Sequence, residues 1–242
     1  MSKIGRGYGS EFHLLRFLGY HRSTLDTAVK QVVGSEIAWL DVPFSDKPSS
    51  FYYDEWKSVD FLPADHPARR DWHTFWPRSG NAPRWDAVGR LVGQSEYGWL
   101  LVEAKSHTAE IISHCTAKGA GREQIAGSLQ QAKSAYGAEP GCDWLSPYYQ
   151  MCNRLAVLAY LHRQEVRAHL LFIYFTGEET FPSGRHVICP KNEGEWVQAL
   201  RPMYQHIGWN GEAPLAAYVH EMYLPMYPSQ DQTASPDNVR GM

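Results

Sequence analysis

An uninterrupted run of apolar residues from Trp99 to Val102 most constrains the fold of this chain. A strand covered on one face alternates apolar and polar side chains, whereas a strand buried on both faces is apolar throughout. The run therefore predicts a strand over residues 99–105 in the centre of a sheet. A second apolar run, residues 168–175, predicts another strand that ends at Thr176 and Gly177.

Apolar residues at helical spacing predict the layers that cover this sheet. The expected helices cover residues 10–19, 23–33, 147–164 and 192–206, and two more lie within residues 107–136. Ser10, Ser146 and Asn192 are the candidate N-caps. Gly119 and Gly121 are expected to break the helices of 107–136. The fold class that follows is α/β, with a central mixed β-sheet flanked by helices.

Length and composition limit the classes of protein that fit. The 242 residues favour one domain, residues 1–227, followed by a disordered tail, 228–242, that is rich in Pro, Ser, Gln and Asp. A net charge of -3 excludes binding of nucleic acid through bulk positive charge, so phosphate binding requires local patches. Neither a membrane-spanning run nor a signal peptide is recognisable, and we expect a soluble, cytoplasmic protein with no membrane partner.

Three charged residues fall on a predicted β-hairpin. Residues 85–92 form its first strand, a glycine-flanked turn covers residues 93–98, and the buried strand follows. Because side chains alternate between the faces of a strand, Glu103 and Lys105 share one face. A turn centred between its two glycines places Asp86 opposite Lys105 and diagonal to Glu103, within reach of a shared ion.

This grouping has a chemical interpretation and a structural one. Two carboxylates are what Mg²⁺ typically takes from a protein, and a neighbouring lysine orients or helps deprotonate a water molecule. Such a site suits hydrolysis of phosphodiester bonds. The structural alternative is a cross-strand salt bridge between Asp86 and Lys105 that only stabilises the hairpin.

The pattern Pro83-Arg84-Trp85-Asp86, a turn, then Leu100-Leu101-Val102-Glu103-Ala104-Lys105 resembles the signature of the PD-(D/E)XK nuclease superfamily. The resemblance implies a restriction-endonuclease-like core of helix, three-stranded meander, helix and strand. It also implies cleavage of nucleic acid with Mg²⁺ or Mn²⁺, with DNA favoured over RNA. The metal ligands would be Asp86 and Glu103, and the catalytic lysine would be Lys105. Weaker matches are Glu11 or Glu36 as an acid on the first core helix and Gln150 on the helix after the motif.

The segment from His66 to Arg90 interleaves arginines with tryptophans and a phenylalanine. Such a mixture suits a nucleic-acid groove, through phosphate contacts and base stacking. It also suits a loop whose aromatic side chains anchor it to the core, and we favour this second interpretation. The alternative for the whole chain is a non-catalytic interaction protein that retains the nuclease-like fold.

Overall fold

The computed structural model describes residues 8–41, 55–78, 80, 82–93, 98–179 and 187–227. Within these ranges the helices are α1 (Ser10–Gly19), α2 (Arg22–Val33), α3 (Pro67–Arg70), α4 (Trp72–Phe75), α5 (Gly119–Ala135), α6 (Tyr149–Arg163) and α7 (Glu193–Ile207). The strands are β1 (Glu36–Trp39), β2 (Trp56–Lys57), β3 (Arg84–Trp85), β4 (Ala87–Val92), β5 (Gly98–Lys105), β6 (Ala168–Thr176) and β7 (Val219–Pro225). Short 3₁₀ helices cover Thr108–Ile111 and Pro214–Tyr218.

A five-stranded mixed sheet in the order β1-β4-β5-β6-β7 organises these elements. The first three strands form an antiparallel meander, β6 lies parallel to β5, and β7 lies parallel to β6. β5 occupies the middle of this order, and every residue of β6 is buried. The prediction of an α/β protein with a mixed sheet flanked by helices is therefore confirmed.

Helices cover the two faces of the sheet and create two hydrophobic clusters. α1 and α2 contribute Leu14, Phe17, Leu25 and Val29, which pack with one set of side chains from β4 to β7. α5, α6 and α7 pack on the other face with α3, α4 and the aromatic residues around them. Leu101 of β5 faces the second cluster, whereas its neighbours Leu100 and Val102 face the first. Both faces of the sheet are thus covered, as the apolar runs require.

Several helix boundaries differ from the predicted ones. α6 begins at Tyr149 rather than at Pro147, and Ser146 does not cap it. A backbone N–H of its first turn, that of Gln150, instead donates to the Ser113 hydroxyl at 2.7 Å. Residues 107–136 contain a 3₁₀ helix and one long helix that begins at Gly119, rather than two helices broken there. Ser10 is the first residue of α1 and makes no side-chain cap.

The predicted strand 85–92 is divided at Asp86. Its first part, β3, pairs with β2 in a separate two-stranded ribbon, and its second part, β4, joins the main sheet. Two strands, β2 and β7, were not predicted, because β2 has two residues and β7 lacks clean alternation of polar and apolar side chains. The centre of the predicted turn, residues 94–97, and the predicted tail, residues 228–242, lie outside the described residues. No described helix has the length and apolar character that crossing a membrane requires.

Candidate functional site

The register of β4 against β5 differs from the predicted register by two residues. Ala87 pairs with Val102 and Leu91 pairs with Gly98, so Asp86 comes next to Glu103 rather than opposite Lys105. The reason lies at Gly98, which belongs to β5 and not to the turn. A Cβ atom there would lie 3.2 Å from Leu91 Cδ1, so glycine fits this pairing without a shift of the leucine side chain.

Asp86 lies where the chain passes from the β2–β3 ribbon into the main sheet. Its backbone N–H donates to Val102 O at 3.0 Å, and its carboxylate oxygen Oδ2 accepts from the backbone N–H of Ala104 at 2.7 Å. Burial, and then the negative charge of Glu103, raise the pKa of Asp86 to about 7, against the opposing effect of Lys105. The side chain is still partly exposed to solvent. Two hydrogen bonds to β5 therefore hold Asp86 in place, while part of the residue stays in contact with solvent.

Glu103 is 2% exposed, and two cations neutralise its carboxylate. Oε1 accepts from the Lys105 ammonium. Oε2 accepts a hydrogen bond from Arg154 Nε at 2.8 Å and forms an ion pair with Arg154 Nη2 at 2.7 Å. Burial opposes ionisation of Glu103, but the charges of Arg154 and Lys105 outweigh it and lower the pKa of the carboxyl group. Glu103 is therefore ionised inside the protein.

Lys105 and Arg154 are both held by side chains of α6. The Lys105 ammonium donates to Gln150 Oε1 at 3.0 Å, and Arg154 Nη1 donates to Asn153 Oδ1 at 2.6 Å. The Arg154 guanidinium also lies over the Trp85 ring, 5.2 Å from its centroid. Helix α6 thus supplies the polar groups that hold the carboxyl end of β5.

The predicted salt bridge between Asp86 and Lys105 is not found among the described residues. Lys105 pairs with Glu103, its neighbour two positions earlier on the same strand. A salt bridge that only stabilises the hairpin therefore does not join Asp86 and Lys105. The buried ion pairs are instead centred on Glu103, which pairs with Lys105 and Arg154.

The two candidates for a further acid lie in different places. Glu36 begins β1 opposite Val92, six residues along β4 from Asp86 and so about 20 Å away, and it pairs with Lys30. Glu11 is exposed on α1. Its charge raises the pKa of Glu55, although burial has a larger effect on that pKa. Neither candidate bonds to Asp86 or Glu103 within the described part of the chain.

Glu55 is a nearby carboxylate that no sequence pattern indicated. The β2–β3 ladder pairs Trp56 with Trp85, so Glu55 comes next to Asp86 on the other side of the chain. The Glu55 carboxylate pairs with Arg84 at 3.5 Å, and its side chain is 42% exposed. It therefore lies at the rim of the site.

The arginine-rich and aromatic segment is anchored through its aromatic side chains. Four of them have at most 4% of their surface exposed, and they are Trp72, Phe75, Trp76 and Trp85. These rings pack in the core and are not available for base stacking. Arg70, Arg78 and Arg90 are exposed, and Arg90 lies over the Trp99 ring. The aromatic side chains therefore anchor the segment to the core, as the favoured interpretation expects. These three arginines lie on the surface.

A cavity of about 10 Å³, about the volume that one water molecule needs, lies beside the lysine. Its lining includes Glu103, Lys105, Gln150, Tyr174 and Met203. In the ranges that the structure describes, no three Asp, Glu, His or Cys side chains converge closely enough to hold a metal ion. The carboxylates that could hold a metal ion are Asp86 and Glu103, and of these only Glu103 lines the cavity.

Comparisons of this chain with protein-family models, with curated proteins and with solved structures found no match. The site must therefore be interpreted from its own residues. The sequence interpretation missed Arg154, although a signal for it exists. Arg154 follows Gln150 by four residues, so the two side chains share one face of a helix.

Proposed function

We propose that this chain is a divalent-metal-dependent nuclease of the PD-(D/E)XK type that hydrolyses phosphodiester bonds with Mg²⁺ or Mn²⁺. One observation carries the proposal: Asp86 and Glu103 are adjacent across neighbouring strands, and Lys105 is bonded to both Glu103 and Gln150. These are the residues that the resemblance assigns to metal binding and catalysis.

The order of the elements supports the same proposal. Helices α1 and α2 precede the antiparallel meander β1-β4-β5, and helices α5 and α6 then lead to β6, which is parallel to β5. A restriction-endonuclease-like core requires helix, three-stranded meander, helix and strand in this order. Asp86 and the pair Glu103 and Lys105 fall at the same end of that meander.

The free carboxylate oxygens of Asp86 and Glu103 are suitable ligands for one hard cation. Asp86 is partly open to solvent, and within the described residues its Oδ1 accepts no hydrogen bond. Glu103 Oε1 accepts one hydrogen bond and keeps a second lone pair. One or two carboxylates with water and phosphate oxygens are the usual surroundings of Mg²⁺. When bound, such an ion polarises the phosphate and acidifies a coordinated water molecule.

The protein's own groups hold and orient the reacting atoms. Gln150 Oε1 and Glu103 Oε1 fix the position of the Lys105 ammonium, which presents its remaining N–H to a water molecule or a phosphate oxygen. Arg154, which donates to the side-chain Oδ1 of Asn153, keeps Glu103 in one orientation. The substrate class is nucleic acid, with DNA first and RNA second, and its phosphates require local positive charge of the kind that the exposed Arg70 and Arg78 carry.

Cleavage assays with matched variants test the proposal. Wild type is expected to cleave plasmid DNA or RNA with Mg²⁺ or Mn²⁺, and Asp86→Asn and Lys105→Met are expected to reduce the rate by about 100-fold or more. Glu36→Gln is the matched control, because this carboxylate lies at the other end of the sheet. Folding of each variant is checked by circular dichroism. Wild-type rates in both folded site variants would refute the catalytic assignment.

A non-catalytic interaction protein is the second candidate. It is favoured by the internal ion pairs of Glu103, whose two oxygens are both bonded to cations of the chain, and by the small cavity beside Lys105. Thermal unfolding with and without Mn²⁺ separates the two candidates. The nuclease proposal expects Mn²⁺ to raise the Tm of wild type and not that of Asp86→Asn, whereas a protein without a metal site shows no shift that depends on Asp86.

A further inference from the structure

We propose that the site accepts a single divalent ion, because Arg154 permanently occupies the position on Glu103 that a second ion would need. The inference rests on the proposed metal-dependent function and deepens it. Two-ion nuclease sites hold their ions about 3.5–4 Å apart in a symmetric clamp around the scissile phosphate. A site of that type needs more free carboxylate oxygens than this one offers.

The free lone pairs on the two carboxylates can be counted. A carboxylate offers about four acceptor positions, two on each oxygen. On Glu103, Arg154 Nε donates to Oε2 and Nη2 lies 2.7 Å from the same oxygen, so the guanidinium covers Oε2, while Lys105 fills one position of Oε1 and leaves the other. On Asp86, Ala104 fills one position of Oδ2, and Oδ1 stays open. One ion bound between Asp86 and Glu103 Oε1 would use the last free acceptor position of Glu103.

A second ion cannot displace Arg154 without a large cost. The arginine is 4% exposed, and its guanidinium also bonds to Asn153 and stacks on Trp85. Moving it away from Glu103 would leave a buried cation without its partner. The guanidinium therefore acts as a built-in second cation that supplies positive charge to Glu103 with no need for a metal.

Other ligands for a second ion are not at hand in the part of the chain that the structure describes. A second ion beside Asp86 would have to recruit Glu55, which is held by Arg84 and lies partly in solvent. No group of three Asp, Glu, His or Cys side chains forms a metal-binding cluster there. Arg154 is thus a positioning residue that sets the number of ions.

Calorimetric titration with Mn²⁺ tests the inference. The number of ions that wild type binds and Asp86→Asn does not bind is expected to be one, and Glu36→Gln should bind as wild type does. Electron paramagnetic resonance of the bound Mn²⁺ should show the pattern of an isolated ion. Two ions that depend on Asp86, or spin coupling between two ions, would overturn the inference while leaving the nuclease proposal intact. Absence of any binding that depends on Asp86 would instead refute the metal-dependent function itself, and the inference with it.

Variants of the arginine test its role directly. Arg154→Met uncovers Glu103 Oε2 and removes the repulsion between the guanidinium and the metal ion, so the ion should bind about tenfold more tightly. Arg154→Lys keeps the charge but gives up the double contact with Oε2, so its affinity should fall between those of wild type and Arg154→Met. If Arg154→Met does not fold, Arg154→Lys still decides the matter. Wild-type affinity in the folded variants would show that Arg154 does not limit ion binding.

Discussion

His169, which is buried, and His220, which is partly buried, are joined by a hydrogen bond between their rings. His169 Nδ1 and His220 Nε2 lie 2.8 Å apart, and their rings are stacked at an angle of 13°. One nitrogen must donate and the other must accept, so adding a proton to the accepting ring brings two donors face to face. Burial, and then the neighbouring His220, lower the pKa of His169 to about 4. The pair is therefore neutral in the folded protein.

This pair predicts a loss of stability in mild acid. Since the pKa of His169 is about 6.5 in the unfolded chain and about 4 in the folded one, the unfolded state binds the extra proton between these values. The contribution of His169 to the free energy of unfolding should fall by roughly 2 kcal/mol as the pH drops from 6.5 to 4, whereas the raised pKa of Asp86 acts in the opposite direction over the same range. Denaturant titrations at several pH values measure it.

Two variants isolate the contribution of the histidine pair. The free-energy difference between wild type and His169→Gln should therefore change by that amount over this range, whereas His73→Gln, at an exposed position on α4, should follow wild type. Glu178 has little effect above pH 4.5, because hydrogen bonds from His13 and Gly9 overcome its burial and lower its pKa to about 2. Its stabilisation is lost only as the pH falls below 4.5 toward 2. An identical pH dependence in wild type and His169→Gln would contradict the assignment.

Among the elements, α6 shows how a helix terminus depends on a distant segment. Ser113 lies 37 residues before Gln150 in sequence, yet its hydroxyl accepts from the Gln150 N–H and its carbonyl accepts from the Tyr149 N–H. Ser146, which the local sequence marks as the cap, instead bonds to His114 on the surface. The extended segment around Ser113 therefore holds the helix that carries Gln150 and Arg154.

Alanine substitutions at the two serines distinguish the local cap from the tertiary one. Ser113→Ala should lower the free energy of unfolding by about 1 kcal/mol, the usual value for a lost N-cap. Ser146→Ala should change it by less than about 0.5 kcal/mol, because its hydroxyl bond is exposed. Chemical denaturation of the two variants measures both values. A larger loss in Ser146→Ala than in Ser113→Ala would mean that the helix is capped locally.

Sequence reasoning located most elements, because their signals are local. The apolar runs of β5 and β6, the left-handed Gly34 after α2 and the Asn192 cap of α7 all lie where the residue pattern predicts them. The alternation of side chains also brought Asp86 and Glu103 close, since a shift of two residues keeps the same face. The exact partner of Asp86 was predicted wrongly, because Gly98 was assigned to the turn. Arg154 was missed because its charge lies in an otherwise apolar helix.

At the scale of the whole molecule, one sheet separates two hydrophobic clusters. Alternate side chains of β4, β5 and β6 enter each cluster, so every central strand belongs to both. Loss of either helix layer would expose one face of these strands. The two clusters are therefore expected to unfold together, although the chain is longer than most two-state domains.

Core truncations test this cooperativity. Leu14→Ala on α1 and Leu158→Ala on α6 remove fully buried side chains, one from each cluster, and each should cost about 2–5 kcal/mol. Trp76, Trp85 and Trp196 all belong to the cluster of Leu158, so tryptophan fluorescence reports mainly on that side. In Leu14→Ala, the unfolding midpoints from fluorescence and from far-UV circular dichroism should shift equally. Separate midpoints would mean that the α1–α2 layer unfolds independently.

By itself, the sequence determined the class of fold, the buried strands, most helix ends and the acidic face of β5, because each depends on residues close together in the chain. The tertiary structure decided the register of Asp86, the ion pairs of Glu103 with Arg154, the cap from Ser113 and the approach of Glu55. Each of these joins segments that are distant in sequence. Side-chain periodicity specifies which face a residue occupies, whereas its partner depends on how loops close and how layers pack.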